Sequence, residues 1–232
     1  MKERGNSILR RALGFVGAVS AAVCLLALIL DAMGTSAPLM LSLMKQHAPA
    51  EATGLADAAY EDCAVMIAGY LGGSVEAFQL TASVNGAEAA DVFNADEQAH
   101  MADCRELFTL CRTVVVITLA LTLGCIAALY FLRRADHAGL KGFRWGLHVT
   151  LLLIAALIVW ALADFDGLFV LFHRLSFRND LWLMDPAKDM IIRLMPLDFF
   201  THYAALIGGT WVGLLAAMEL VTGLPLRKRK QA

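Results

Sequence analysis

The stretch Thr113–Leu132, TVVVITLALTLGCIAALYFL, decides the architecture. Its 20 residues carry no charge, and at about 1.5 Å per residue a helix of that length spans the hydrocarbon of a bilayer. Three further runs read the same way. Ala12–Leu30 has 19 uncharged residues, Trp145–Ala163 has 19 with only His148 ionisable, and Tyr203–Leu226 carries one acid, Glu219, near its end. Tyr130, Trp145, Trp160, Tyr203 and Trp211 lie towards span ends, where interfacial aromatics anchor. Composition agrees: 59% of the 232 residues are hydrophobic and 17% charged, against about a quarter charged in soluble domains. The expected fold class is an all-α integral membrane protein with four transmembrane helices. One membrane domain covers 1–232, with spans at about 12–30, 113–132, 145–163 and 203–226.

A net charge of −2 and a pI near 6.3 exclude a whole-chain basic footprint for nucleic acid. No repeat of 20–50 residues is present, which excludes solenoids. Orientation follows from the basic residues. Lys2, Arg4, Arg10 and Arg11 precede span one. Arg133, Arg134, Lys141 and Arg144 join spans two and three, and Arg227, Lys228, Arg229 and Lys230 follow span four. These are 12 of the 19 Lys and Arg residues, and 18 of the 21 acids fall in the segments between the other span ends. The positive-inside rule therefore puts both termini in the cytoplasm and segments 31–112 and 164–202 outside. A cleaved signal peptide at span one is the disfavoured alternative, because the apolar run exceeds a signal core.

The outer segments read as one mainly helical extracytoplasmic cap. Leu39, Met40, Leu43 and Met44 recur at helical spacing. So do Ala59, Cys63, Met66, Ile67 and Tyr70, ending at Gly72–Gly73. Phe78–Val84 before Asn85–Gly86 reads as one arm of a hairpin with a poorly patterned return. Asn94 with Glu97 forms a capping box opening one long helix into span two. Asp185–Pro186 reads as the start of a helix over Ala187–Met195, stopped by Pro196. Its apolar side suits the bilayer surface or the underside of the cap.

Few residues carry candidate chemistry. The spans lack mid-membrane acids, bases or broken helices, which disfavours transport; His148 and Glu219 read as snorkelling or paired end residues. Glu97, His100 and Asp103 share a helical face, and His173 sits among Phe172, Phe177 and Trp182. A neutral imidazole is the usual general acid or base near pH 7. His47, His137 and His202 read as surface or interfacial. No HExxH, Cys-x-x-Cys, Gly-x-Ser-x-Gly or phosphate loop is present. Cys24 and Cys125 read as filler in spans. Cys63, Cys104 and Cys111 leave room for one disulfide whose pairing is open.

The order Phe93…Glu97-x-x-His100-Met101-x-Asp103, then Phe172-His173, Trp182-x-x-Asp185-Pro186 and Pro196-x-x-Phe199-Phe200, resembles the bacterial lipoprotein intramolecular transacylase family, Lit. Cys104 stands where that pattern leads one to expect an aliphatic residue. The resemblance implies catalytic His100 and His173 at the cap–membrane interface of a bacterial plasma-membrane enzyme. The substrate class it implies is a diacylglyceryl lipoprotein, whose sn-2 acyl chain moves to the α-amine of its own N-terminal cysteine to give the lyso-form. Phe93, Phe172, Phe177, Arg178, Trp182 and Phe199 would then bind substrate, Glu97 or Asp103 would orient His100, and no metal or cofactor is expected. Two other classes stay open on the residues: a metal-dependent membrane hydrolase using His100, His173 and nearby acids, and a non-enzymatic membrane partner protein.

Overall fold

The computed structural model describes residues 2–132 and 137–228; Arg133, Arg134, Arg229 and Lys230, on which the orientation reading draws, lie outside them. The chain divides into two compact units, one of Met1–Ile29, Arg112–Ala163 and Gly208–Ala232, the other of Leu30–Cys111 and Asp164–Ile207.

The first unit is built from the apolar stretches of four long helices: α1 (Lys2–Gly34), α5 (Ala95–Phe131), α6 (Ala138–Ala163) and α9 (Leu197–Lys228). All four are long and apolar enough to cross a membrane. Large apolar side chains on them stand exposed, including Val116 (68%), Leu152 (72%) and Leu220 (68%). That inverts the soluble pattern and suits helices whose solvent is lipid. Without a hydrophobic drive between them, such helices associate through close packing at small residues. A Cβ on Gly14 would meet the Gly139 carbonyl, and one on Gly142 would meet the Arg11 carbonyl, so α1 and α6 touch backbone to backbone. Gly17 of α1 lies against Cys125 of α5. Trp211 of α9 donates its indole N–H to the Ala22 carbonyl at 2.8 Å. Trp211 is therefore a contact inside the bundle, not an interfacial anchor. Glu219 is paired, accepting from Arg144 Nε at 2.9 Å and lying 3.0 Å from His148 Nε2.

The second unit has a core of its own, centred on Met44, Cys63, Ile67, Phe93, Leu194 and Phe199. Helix α2 (Ala37–His47) starts where Ser36 Oγ accepts the Leu39 N–H at 3.5 Å, with proline in its first turn. After the single turn α3 (Ala50–Thr53), α4 (Asp57–Gly72) supplies more of the core than any other element and ends at Gly73, whose φ of 85° is left-handed. A buried hydroxyl chain ties these helices together. Tyr60 Oη donates to the Ala48 carbonyl at 2.8 Å and lies 2.6 Å from Thr53 Oγ1.

The hairpin forms with its arms further apart than a two-residue loop allows. β1 (Thr81–Ala82) pairs antiparallel with β2 (Ala90–Asp91), Thr81 opposite Asp91. Asn85 and Gly86 both have positive φ, 55° and 74°, and Ala87 N–H donates to the Val84 carbonyl at 3.0 Å. Both strands are short and mostly exposed, which is why no return pattern was legible. The capping box is present: Asn94 Oδ1 accepts from the Asp96 and Glu97 amides at 3.0 Å, and Glu97 Oε2 accepts from the Asn94 amide at 2.8 Å. It opens α5, which continues unbroken to Phe131.

Two expectations need correction. The helix expected over Ala187–Met195 is only α8 (Met190–Leu194), with Asp189 as its N-cap. Asp185 does cap a turn, accepting the Ala187 amide at 2.9 Å. The Asp189 carboxylate then reaches back to the Asp185 amide at 2.6 Å, so the chain turns at Asp189 and starts again. Met190, Ile191, Leu194 and Met195 are all buried in the core, which leaves no face for a bilayer surface. A helix unread in the sequence, α7 (Phe165–Ser176), follows α6 at once; Asp164 Oδ1 caps it through the Gly167 amide at 2.8 Å.

Candidate active site

His100 lies on the first turns of α5, where residues 95–112 carry six charged side chains and so fall outside the apolar stretch that spans the membrane. His173 lies on the last turn of α7. Both rings are buried, 7% and 8% exposed, and their centroids stand 6.2 Å apart with planes 25° from parallel. The pairing of α5 with α7 brings together two histidines 73 positions apart in sequence.

An aromatic enclosure surrounds the pair. Phe169 (4.2 Å), Trp182 (5.1 Å), Phe172 (5.3 Å) and Phe177 (5.5 Å) pack on the His173 ring, and Phe177 also meets His100 at 5.0 Å. Phe169 belongs to this cage but was not among the expected substrate-binding residues; the signal for it was its spacing, one helical turn before His173. Asn179 was missed as well. It donates to Asp103 Oδ2 at 2.8 Å while its own carbonyl accepts the Trp182 indole N–H at 3.0 Å, so one residue fixes both the loop after α7 and its tryptophan.

Hydrogen bonding defines the tautomer of His173. Nδ1 lies 2.8 Å from the Phe169 carbonyl, which only accepts, so Nδ1 carries the proton and Nε2 keeps the lone pair. Burial lowers the pKa of His173. Burial likewise pushes His100 down to about 4, helped by His173 and opposed by Asp103, so both rings are neutral at pH 7. His100 Nε2 lies 3.5 Å from Cys104 Sγ, and its Nδ1 is buried with no hydrogen-bond partner.

The remaining candidates separate. Phe93 and Phe199 are fully buried in the core of the second unit, Phe93 packed on Phe78 and Phe199 on Phe200 and Tyr203. Glu97 is 1% exposed, and its two oxygens accept the Asn94 and Ile191 amides, the latter at 2.6 Å. Burial raises its pKa. Its hydrogen bonds therefore go to backbone and not to His100, whereas Asp103 acts on His100 through its charge. Arg178 lines a cleft of about 270 Å³ with Arg174, Asn179 and Trp182. His47 and His202, read as surface or interfacial residues, are half-buried and bonded to each other, Nε2 to Nδ1 at 3.0 Å. The five cysteines are free thiols. Among the described residues, no three His, Cys, Asp or Glu side chains converge as a metal-ligand set.

Four helices long and apolar enough to cross a membrane define the class, an integral membrane protein, whose second unit holds two neutral imidazoles in an aromatic enclosure. Comparison with known proteins narrows the class. The family described as Lipoprotein intramolecular transacylase Lit matches residues 15–200, both histidines included. This chain belongs to that family and is an enzyme of intramolecular acyl transfer in the membrane. No match was found among curated proteins. Its fold is similar to solved structures of the membrane-integral Lit from Bacillus cereus. One has a TM-score of 0.77 at 21% identity, covering 97% of this chain and 99% of the other. Another, with a histidine replaced by alanine, has a TM-score of 0.77 at 20% identity and covers both chains fully.

Proposed function

We propose that this enzyme moves the sn-2 acyl chain of a diacylglyceryl lipoprotein to the α-amine of the lipoprotein's own N-terminal cysteine, with His173 as base and His100 as hydrogen-bond donor. The observation that carries the reading is the pair of buried, neutral, stacked imidazoles, one with its tautomer pinned by the Phe169 carbonyl. An α-amine has a pKa of about 7.7–8.0, so much of it is protonated at neutral pH and must first lose one proton to solvent to become the attacking neutral amine. As that nitrogen adds to the ester carbonyl carbon and turns positive, His173 Nε2 takes a second proton from it. The carbonyl oxygen becomes an oxyanion and accepts from His100. The tetrahedral centre then collapses with cleavage of the bond to the glyceryl oxygen. His173 returns its proton there, leaving an amide and a free sn-2 hydroxyl.

The enclosure serves this sequence in two ways. Four aromatic rings hold water away from an ester that water would hydrolyse. Their ring centroids also lie 4.2–5.5 Å from that of His173, close enough for π-electrons to stabilise the imidazolium that exists only mid-reaction. Arg178 and Arg174, on the cleft beside Trp182, are suited to the polar peptide end of the substrate. The second unit faces the outside and both termini the cytoplasm, by the charge rule.

The test uses a synthetic diacyl lipopeptide deuterated in its sn-2 chain and the full-length enzyme in nanodiscs. Transfer within one molecule leaves the mass unchanged, so fragmentation must locate the label. Deuterated acyl on the cysteine nitrogen supports the reading. Deuterated free fatty acid would replace it with a hydrolase.

A further inference from the structure

We propose that Cys104 is a positioning residue that fixes the tautomer of His100, keeping the proton on Nδ1 so that this N–H donates to the substrate's ester carbonyl. The inference rests on the transacylase reading of the two histidines and adds to it a positioning residue. Cys104 follows His100 by one turn of α5, so both side chains lie on one helix face. Its Sγ stands 3.5 Å from His100 Nε2, within hydrogen-bond reach for sulfur. Burial, with the Asp103 charge beside it, pushes the thiol up to about 12. The group is therefore S–H and not thiolate at pH 7, a donor and not a nucleophile.

An imidazole nitrogen is a far better acceptor than a thiol sulfur. The thiol thus donates to Nε2, Nε2 keeps its lone pair, and the ring proton sits on Nδ1. That atom is buried and has no partner in the protein. A buried ring N–H without a partner is costly unless something fills the place, and the oxyanion formed during acyl transfer is an acceptor of the right chemistry. His173 has its proton placed by a carbonyl and His100 by a thiol. The two rings thus hold opposite roles, one with a free lone pair and one with a free N–H.

The experiment compares full-length wild type, Cys104→Ala and Cys104→Ser in nanodiscs, labelled with 15N-histidine, with His100 assigned by its loss in His100→Gln. Ring 15N shifts distinguish a protonated from an unprotonated nitrogen directly. The expected result is His100 protonated at Nδ1 in wild type, redistributed towards Nε2 in Cys104→Ala and restored in Cys104→Ser. Alongside it, kcat on the diacyl lipopeptide falls fivefold to tenfold in Cys104→Ala, about 1 to 1.4 kcal/mol, with KM unchanged and serine recovering it. A wild-type ring protonated at Nε2 overturns the proposal, as does a Cys104→Ala ring with the wild-type distribution, even where activity falls. If wild type itself moves no acyl chain, the transacylase reading falls. The ring shifts then still decide whether Cys104 sets the tautomer.

Discussion

Glu97→Gln isolates what the buried carboxylate does. In the native structure Oε2 takes the Asn94 amide at 2.8 Å, closing the capping box, and Oε1 takes the Ile191 amide at 2.6 Å, tying α8 to α5. At pH 8 the carboxylate accepts both. A glutamine has one oxygen and one NH2, so one of the two amides faces a donor and loses its bond. Stranding a buried amide costs about 1–3 kcal/mol. Taking about 2 kcal/mol, exchange of the Ile191 or Asn94 amide accelerates about 30-fold, at tenfold per 1.4 kcal/mol. For a chain of this size the melting temperature falls about 4–8 °C. Asp96→Asn, one residue away on the exposed side, is the control, with an expected change below about 0.5 kcal/mol. Hydrogen exchange with peptide-level mass spectrometry over 90–100 and 185–200 reads the effect at either amide. Equal protection in Glu97→Gln and Asp96→Asn would refute the claim that Glu97 is a structural clasp.

Other outcomes follow from the same geometry. Because burial holds His100 down to about 4 against about 6.5 unfolded, the unfolded chain binds the extra proton between those values. Stability therefore holds above pH 6.5 and falls by on the order of 3 kcal/mol as pH drops towards 4; His100→Gln should flatten that part of the melting-temperature profile. Glu219→Ala removes the partner of the partly exposed Arg144 and lowers stability by about 1–3 kcal/mol, whereas replacing both residues by leucine restores most of it, measured by thermal melts in micelles. Gly142→Leu, which forces a side chain into the Arg11 carbonyl, abolishes folded protein in detergent extracts, whereas Gly208→Ala, with open space around it, leaves the yield unchanged.

The sequence and the structure agree where one physical signal dominates. Four apolar runs of bilayer length became four long helices, and Asn94 with Glu97 opened α5 because a capping box is a local device. The gap at α7 has a plain cause. Phe165–Ser176 follows α6 after one residue, and its capping signal, Asp164 on Gly167, was hidden at the end of an apolar run. The error at α8 arose because Asp185–Pro186 is a true local start, overridden by Asp189, whose carboxylate is claimed by Asn94 95 residues away. His100 and His173 were legible as two histidines, each with its own context, but not as a pair. What stacks them is the packing of α5 on α7, a long-range contact with no periodicity to read. Phe93 and Phe199 illustrate the converse. Aromatic residues near a motif look alike in sequence, and only their ring contacts separate the core rings from the rings around His173.

The measurement closest to the central claim is single-turnover acyl transfer by wild type, His173→Gln and His100→Gln on one diacyl lipopeptide, read by fragmentation that locates the acyl group. A positioned acid or base contributes about 10²–10⁴-fold. The account predicts losses of that order in both variants, with intact melting transitions at pH 7. Transfer within tenfold of wild type by either folded variant would contradict the two-histidine mechanism.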